Sequence, residues 1–332
     1  MQSLDKQITD RIIRCLKKSD RILIASHANP DGDAIGSLVA LGIALSDLDK
    51  KVSLFNESPI PAVYRFLPSV KQVHRRLDDF SIFDMAFILD CGALVRVGKA
   101  AKEIEQIETL VNIDHHVTNS GFGDIQLIDP SACATAEVLY RLITALEVPI
   151  GPDIAGAIYT GILTDTGSFR FANTNHAAFE IAQEMVACGV DPSLIAQYMY
   201  GTYSLGRIKL LNMALNTIEI YSGGKLSLMA VSQEMLDETG TRNEDLDGMI
   251  NYARGIQNIK VAALIQELNN GHEFSSNDRR RYHVSLRSDG DVDVAAIASA
   301  YGGGGHSSAA GFSIKASLSD IKSQLSKLAK EM

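Results

Sequence analysis

ILIASHANPDGDAIGS, residues 22–37, packs a strand, a polar loop and the start of a helix into one short stretch. Ile22-Leu23-Ile24-Ala25 is a short apolar run of the kind that forms a buried strand. It breaks into Ser26, His27, Asn29, Pro30 and Gly32, which have turn character. Apolar and small residues from Ala34 to Leu45 then fit a helix. Three potential metal ligands, His27, Asp31 and Asp33, fall inside the loop. A strand, a ligand-bearing loop and a helix is how α/β enzymes place chemistry at the carboxyl ends of strands.

The same grammar recurs outward from this stretch. Met85 to Leu89 predicts a second buried strand, ending in Asp90-Cys91-Gly92, and Thr109 to Ile113 a third, ending in Asp114-His115-His116. Lys51 to Phe55 alternates as a strand. Helices are predicted over Ile8–Lys18 (with Ile8, Ile12, Ile13 and Leu16 inward), Ala134–Leu146, Asp153–Leu163 and Ala177–Cys188. The third of these runs into Thr164-Asp165-Thr166-Gly167, and Gly189 terminates the last. Repeated strand-then-helix units predict an α/β domain with a mostly parallel sheet flanked by helices on both faces.

Character changes toward the C-terminus. Leu194 to Leu215 reads as a helical connector, broken near Gly201. A β-hairpin over Ile218–Tyr221 and Leu226–Val231 follows, then a helix over Asp245–Arg254. Strands are predicted at Val261–Gln266, His283–Arg287 and Phe312–Ile314, and helices at Val294–Ala300 and Leu318–Lys330. The expected organisation is a catalytic, metal-binding domain over 1–190, a helical connector over 191–216, and a smaller mixed α/β substrate-binding domain over 217–332.

Composition narrows the function. At 332 residues, with 46% hydrophobic and 21% charged, the chain has material for two globular cores. A net charge of −9 argues against gripping long duplex nucleic acid by its phosphates, which calls for a basic surplus. Cys15, Cys91, Cys133 and Cys188 are scattered without CxxC spacing, as in a reducing compartment. No signal-like block or membrane-length apolar run is present. The expectation is a cytoplasmic protein with no membrane partner.

Asp90, His115 and Asp165 extend the set begun by His27, Asp31 and Asp33, each following an apolar segment. Oxygen and imidazole donors without nearby thiols suit Mn²⁺ first and Mg²⁺ second. Two cations roughly 3.5–4 Å apart need a bridging carboxylate. Asp31 and Asp33 can each serve a different ion, and Asp90, from a neighbouring strand end, is the natural bridge. A lone DGD is usually a solvated turn; four segments bearing acids or imidazoles at element ends are harder to dismiss.

These residues carry a resemblance. SHANPDGDAIGS, LDCG, IDHH and LTDTGSF resemble, in order, the four motifs of the DHH phosphoesterase superfamily, and GGGGHSSAAGF resembles the signature of the associated DHHA1 domain. Order and spacing are similar to those of its compact NrnA-type members, oligoribonucleases (nanoRNases) that also act as 3′-phosphoadenosine 5′-phosphate (pAp) phosphatases. The resemblance implies that His27, Asp31 and Asp90 hold one ion, and that Asp33, Asp90, His115 and Asp165 hold the other. It implies that His116 contacts the scissile phosphate and that Asp114 orients the histidines without binding metal. A hydroxide between the two ions would be the nucleophile.

At the other end of the chain, four consecutive glycines cost backbone entropy and need a reason. Either they form a flexible turn, or Gly303, Gly304 and Gly305 let backbone N–H groups approach a phosphate or base, with His306 adding a donor. No GK[ST] follows, so this is not a P-loop. Ser285-Leu286-Arg287-Ser288 matches the family's strand ending in arginine, which implies a terminal-phosphate contact from Arg287, with Ser285 and Ser288 beside it. Arg279-Arg280-Arg281 reads as an exposed turn. His74, His176, His272 and His283 have no ligand-like company. Phe169 and Phe171 read as core rather than as a base-stacking platform, and Arg170 between them is a candidate to face the cleft.

The expected substrates are short RNA oligonucleotides or nucleotide bisphosphates such as pAp. The alternatives are hydrolysis of cyclic or linear di-adenosine nucleotides (c-di-AMP or pApA) and, in another class, non-catalytic nucleotide binding. The sequence leaves the oligomeric state open between monomer and homodimer.

Overall fold

Strand β1 (Arg21–Ser26) is buried along all but its first residue and is hydrogen-bonded on both sides. The computed structural model that shows this describes residues 4–201, 203–268, 280–305 and 307–328. They form two compact units, Met1–Thr202 and Tyr203–Met332.

In the first unit α1 (Lys6–Lys18) precedes β1. It is capped by the Asp5 carboxylate, which accepts from the N–H groups of Gln7 and Ile8, while Lys17 and Lys18 suit the negative end of its dipole. Ile12 and Leu16 are buried and Ile8 and Ile13 half-buried. Then follow α2 (Gly32–Ser46), β2 (Lys51–Phe55), β3 (Met85–Leu89), a single turn α3 (Ala101–Ile104), β4 (Thr109–Asp114), β5 (Ile125–Ile128), α4 (Thr135–Ala145), α5 (Pro152–Asp165), α6 (His176–Ala187) and α7 (Pro192–Tyr200). The sheet runs β2-β1-β3-β4-β5 and every pairing is parallel. The chain leaves β1 for β2 on one side and then returns to place β3 on the other. The crevice at the carboxyl ends of β1 and β3 is therefore the topological switch point, where open α/β sheets bind ligands.

The two faces are covered differently. On one, α1, α2 and α4 to α7 bury Ile22, Ile24, Phe87, Val111 and Ile113. On the other, Leu23, Ala25, Ala86 and Ile88 are covered by Phe55 from the end of β2 and by Phe83, Val97 and Ile104 from loops and short turns. Helices on both faces are expected; on this face, among the described residues, the helical elements are α3 and isolated 3₁₀ turns, because the connections after β2 and β3 carry no long amphipathic run.

Helix α2 is apolar all round because it is enclosed all round. It meets α5 backbone to backbone. A Cβ at Gly36 would lie 2.4 Å from the Ala157 carbonyl oxygen, and one at Gly161 would lie 2.6 Å from the Ala136 Cβ and 2.9 Å from Asp33 Oδ1. These glycines bring α2, α4 and α5 close enough for the acids of α2 and α5 to approach one another.

The second unit comprises α8 (Leu205–Asn216), β6 (Glu219–Tyr221), β7 (Leu226–Val231), α9 (Gln233–Thr239), α10 (Ile250–Arg254), β8 (Val261–Glu267), β9 (Arg280–Ser288), α11 (Val294–Ser299), β10 (Gly304–Gly305), β11 (Ala309–Ala316) and α12 (Leu318–Leu328). Its sheet runs β10-β11-β9-β8-β7-β6, with β7 and β8 parallel and the other pairs antiparallel. One face packs on α11 and α12 through Val284, Leu286, Phe312, Ile321 and Leu325. Over β7 and β8 the other face packs on α8, α9 and α10 through Met229, Ala262, Leu264, Leu210 and Ala253. The helix expected over Asp245–Arg254 is shorter: Gly248, at φ +77°, separates α10 from a 3₁₀ turn over Asn243–Leu246. Strand β9 begins three residues earlier than expected, so Arg280 and Arg281 are exposed strand residues rather than part of a turn. His272 and Arg279 lie outside the described residues. Among the described residues no helix is long and apolar enough to cross a membrane.

Candidate metal and phosphate site

The first unit gathers its acids and imidazoles at the switch point. His27 follows β1, Asp90 follows β3, Asp114 ends β4 with His115 and His116 after it, Asp33 lies in the first turn of α2, and Asp165 ends α5. Asp31 is the N-cap of α2, its Oδ1 accepting from Ala34 N–H at 3.0 Å, so it also has a structural role that was not assigned from the sequence.

Asp90 stands at the centre. Its backbone is in the left-handed region, at φ +53°, an uncommon conformation for a non-glycine residue and one that clusters at functional sites. Its Oδ2 lies 3.5 Å from His27 Nε2, and its Oδ1 lies 3.8 Å from His115 Nε2 and 3.6 Å from His116 Nδ1. Two groups of potential donors result, His27–Asp31–Asp90 and Asp90–His115–His116, and Asp90 belongs to both. Asp165 joins through Oδ2, 3.6 Å from His115 Nε2.

Asp33 is buried beside this cluster but faces α4. Its Oδ2 accepts the Thr135 N–H at 2.6 Å, and its Oδ1 accepts the Ala136 N–H at 2.9 Å and the Ser37 hydroxyl at 3.2 Å. His116 is turned by Asp114: Nδ1 meets Asp114 Oδ1 at 2.6 Å, while Asn119 donates to Asp114 Oδ2 at 2.6 Å. This fixes Nδ1 as the ring atom used internally.

The electrostatics are those of concentrated negative charge. Burial pulls the His27 imidazolium down, but Asp90 and Asp31 outweigh it and raise its pKa to about 9. His115 is likewise raised to about 9, against burial, by Asp165, Asp90 and Asp33. Burial lifts Asp165 to about 7, His115 opposing and Asp31 and Asp90 adding. Asp33 is pushed well above the carboxylate range by burial and then by Asp90 and Asp165. Burial would raise Asp90 too, yet His27, His116 and His115 hold it well below that range. Four acids, Asp31, Asp33, Asp90 and Asp165, carry a formal charge that two divalent cations would cancel. The donors are oxygen and imidazole, and the buried Cys91 thiol is turned away, donating to the Ala93 carbonyl at 3.1 Å. The donor set therefore fits hard or borderline divalent ions such as Mg²⁺ or Mn²⁺.

The sequence did not single out three side chains that tie the acids in place. Thr135 donates to Asp90 Oδ1 at 3.0 Å, Asn173 donates to Asp165 Oδ2 at 3.0 Å, and Asn119 holds Asp114. The available signal was a buried threonine at the start of an apolar helix and asparagines just after the IDHH and TDTG motifs.

In the second unit, the alternation of β9 puts Ser285 and Arg287 on one face and Ser288 on the other, buried and accepting from Gly290 N–H at 2.8 Å. Gly304, Gly311 and Ser285 lie side by side across three strands, and Ala309 is opposite Arg287. His283, on the same face of β9, lays its ring against Gly311, where a Cβ would lie 3.2 Å from the imidazole Nε2. The fold itself demands the two glycines that flank Gly304. A Cβ at Gly303 would lie 2.2 Å from the Gly311 carbonyl oxygen, and Gly305 has φ +146°. At Gly304 a Cβ would meet nothing within 4 Å. His306 lies outside the described residues.

Residues 21–162 match the model of the DHH family N-terminal domain, and residues 226–332 match that of the DHHA1 domain. With the relative described next, these matches establish that the chain belongs to the DHH/DHHA1 family. It is 33% identical over 89% of its length, and 84% of the relative's, to the bifunctional oligoribonuclease and PAP phosphatase NrnA of Thermus thermophilus. In structure it is similar to an exopolyphosphatase-related protein from Bacteroides fragilis, with TM-score 0.90 and 25% identity, covering 100% of this chain and 97% of that one. It also shares its fold with RecJ of Thermus thermophilus in complex with Mn²⁺, with TM-score 0.54 and 15% identity, covering 98% of this chain and 54% of RecJ.

Proposed function

We propose that this protein is a metal-dependent phosphoesterase that hydrolyses short oligoribonucleotides and nucleotide bisphosphates such as pAp. The observation that supports this reading best is Asp90, whose two oxygens face imidazoles from different strands at the sheet's switch point. The name of the Thermus relative, an oligoribonuclease and PAP phosphatase, supports the substrate class.

In this reading His27, Asp31 and Asp90 hold one divalent cation, and Asp33, Asp90, His115 and Asp165 hold the other, with Mn²⁺ preferred over Mg²⁺. Such ions neutralise phosphate charge and ease the deprotonation of water. Asp114 holds His116 Nδ1, so Nε2 is the atom for a non-bridging oxygen of the scissile phosphate, where it offsets charge developing in the transition state. Asn119, donating to Asp114 Oδ2, keeps that carboxylate from rotating. Arg287 and Ser285, which share a face of β9 beside Gly304 and Gly311, would bind a terminal phosphate or nucleotide. Ser288 serves the turn after β9 rather than substrate.

A single hydrolysis panel with Mn²⁺ tests the function: pAp, a trinucleotide RNA, cyclic di-AMP and pyrophosphate. The expected result is turnover of pAp and the trinucleotide above the other two. Faster turnover of cyclic di-AMP would replace the substrate assignment, and no turnover of any of them with metal bound would sink the enzyme reading.

A further inference from the structure

Thr135 stands where two of the proposed ligand carboxylates meet. It is the first residue of α4 and is fully buried. Its N–H donates to Asp33 Oδ2 at 2.6 Å and its hydroxyl to Asp90 Oδ1 at 3.0 Å. Those acids arrive from the first turn of α2 and the end of β3. Among the described residues Thr135 alone hydrogen-bonds to both.

Asp90 needs such a hold. Its left-handed backbone is strained, and its carboxylate has to present one oxygen to each side of the site. The three imidazole nitrogens around it lie at 3.5–3.8 Å, beyond good hydrogen-bond length. The bond from the Thr135 hydroxyl, at 3.0 Å, is shorter than any of these and comes from a side chain that carries no charge. The hydroxyl takes one acceptor position of Oδ1 and leaves another for a cation.

Thr135 is itself anchored. Glu137, two residues on and fully buried, accepts the Cys133 N–H at 2.8 Å and is ion-paired to Arg141, which also reaches Asp129 at 2.7 Å. The start of α4 is thus fixed independently of the acids it grips.

We infer that Thr135 is a positioning residue for the hydrolytic reaction: its hydroxyl orients the Asp90 carboxylate so that the two oxygens serve two cations at once. The inference rests on the reading of Asp90 as a shared ligand. Its consequence is that removing the hydroxyl uncouples the two ions before it unfolds the protein.

The test compares wild type with T135V, T135A and T135S, using Mn²⁺ alone for binding and a trinucleotide RNA for turnover. Electron paramagnetic resonance counts bound Mn²⁺ and detects the exchange-coupled pair. Wild type and T135S are expected to bind two ions with a coupled signal and to turn over alike. T135V and T135A should bind the second ion about 10–100-fold more weakly, the range seen when a group that orients a ligand is removed. They should lose the coupled signal and drop in kcat by a similar factor, with KM little changed. Melting of the metal-free proteins separates this from a structural role. If T135V fails to fold, T135A carries the same comparison. A coupled signal and kcat equal to wild type in either variant overturns the inference, as does failure of T135S to restore them. A wild type that binds no coupled pair overturns the shared-ligand reading beneath it, a distinct result.

Discussion

Two glycines on α5, five residues apart, offer a chemically identical substitution with opposite expected outcomes. A Cβ at Gly156 meets nothing within 4 Å, so Gly156→Ala gains helix propensity alone, about 1 kcal/mol of stability. At Gly161 the same methyl would lie 2.6 Å from the Ala136 Cβ and 2.9 Å from Asp33 Oδ1. Carbon atoms pack at about 3.5–4.0 Å, so α4 and α5 have to separate by about 1 Å. Overpacking of a filled core costs about 1–3 kcal/mol, which cancels or exceeds the propensity gain. Gly161→Ala should therefore be less stable than Gly156→Ala by about 1–3 kcal/mol. It should also lose activity by about 100-fold, the order of effect that a 1 Å misplacement produces, because Ala136 and Asp33 are the groups displaced. Gly156→Ala should hydrolyse at the wild-type rate. Thermal and urea unfolding, with initial rates on a trinucleotide RNA, measure both. Equal stabilities, or full activity in Gly161→Ala, would refute the close approach of α4, α5 and Asp33.

Other expectations follow from individual contacts. Arg141→Met leaves the fully buried Glu137 without its cation and should cost about 3–5 kcal/mol, much of which Glu137→Gln in the same chain should restore; an additive double mutant in urea unfolding would deny the pairing. Burial would raise the Asp129 carboxyl, but hydrogen bonds from Ser131 and Arg141 outweigh it and hold it below the usual range. A depressed folded pKa contributes stability that is full above about pH 4, the unfolded value, and is lost as pH falls through the folded one. Asp129→Asn should therefore be destabilised at pH 7 and approach wild type in unfolding experiments below pH 4; a constant gap would contradict the assignment. Arg287→Ala should raise KM for pAp far more than for a chromogenic phosphodiester lacking a terminal phosphate, and equal effects on both would remove Arg287 from substrate recognition.

Much of the first unit was legible because each of its central strands is a short apolar run that stops at a chemically marked loop. Burial on both faces removes the alternation that would confuse strand with surface, and the turn residues after Ala25, Leu89 and Ile113 mark the ends. Where backbone geometry decides, the sequence was silent. Gly36 and Gly161 look like weak points in helices, yet they set how near α2, α4 and α5 approach. Thr135 and Asn173 look like ordinary polar residues until the acids they hold, 45 and 8 positions away, are folded against them. In the second unit, β9 and β11 outrun their expected lengths because half their residues are small or polar, on a face that α8 to α10 cover only over β7 and β8. The glycine run had been weighed as either a turn or a phosphate cradle. Part of it is explained by neither, since Gly303 and Gly305 are there to let β10 lie against β11.

The proposed role of Asp90 is to be the one carboxylate that joins two metal sites in a hydrolytic centre. It is tested most directly by titrating wild type and Asp90→Ala with Mn²⁺ while following hydrolysis of a trinucleotide RNA. The account predicts two bound ions per wild-type chain, turnover abolished by EDTA and restored by Mn²⁺, and loss of both tight ions and all turnover in Asp90→Ala. Retained full activity in that variant, or wild-type turnover indifferent to EDTA, would contradict it.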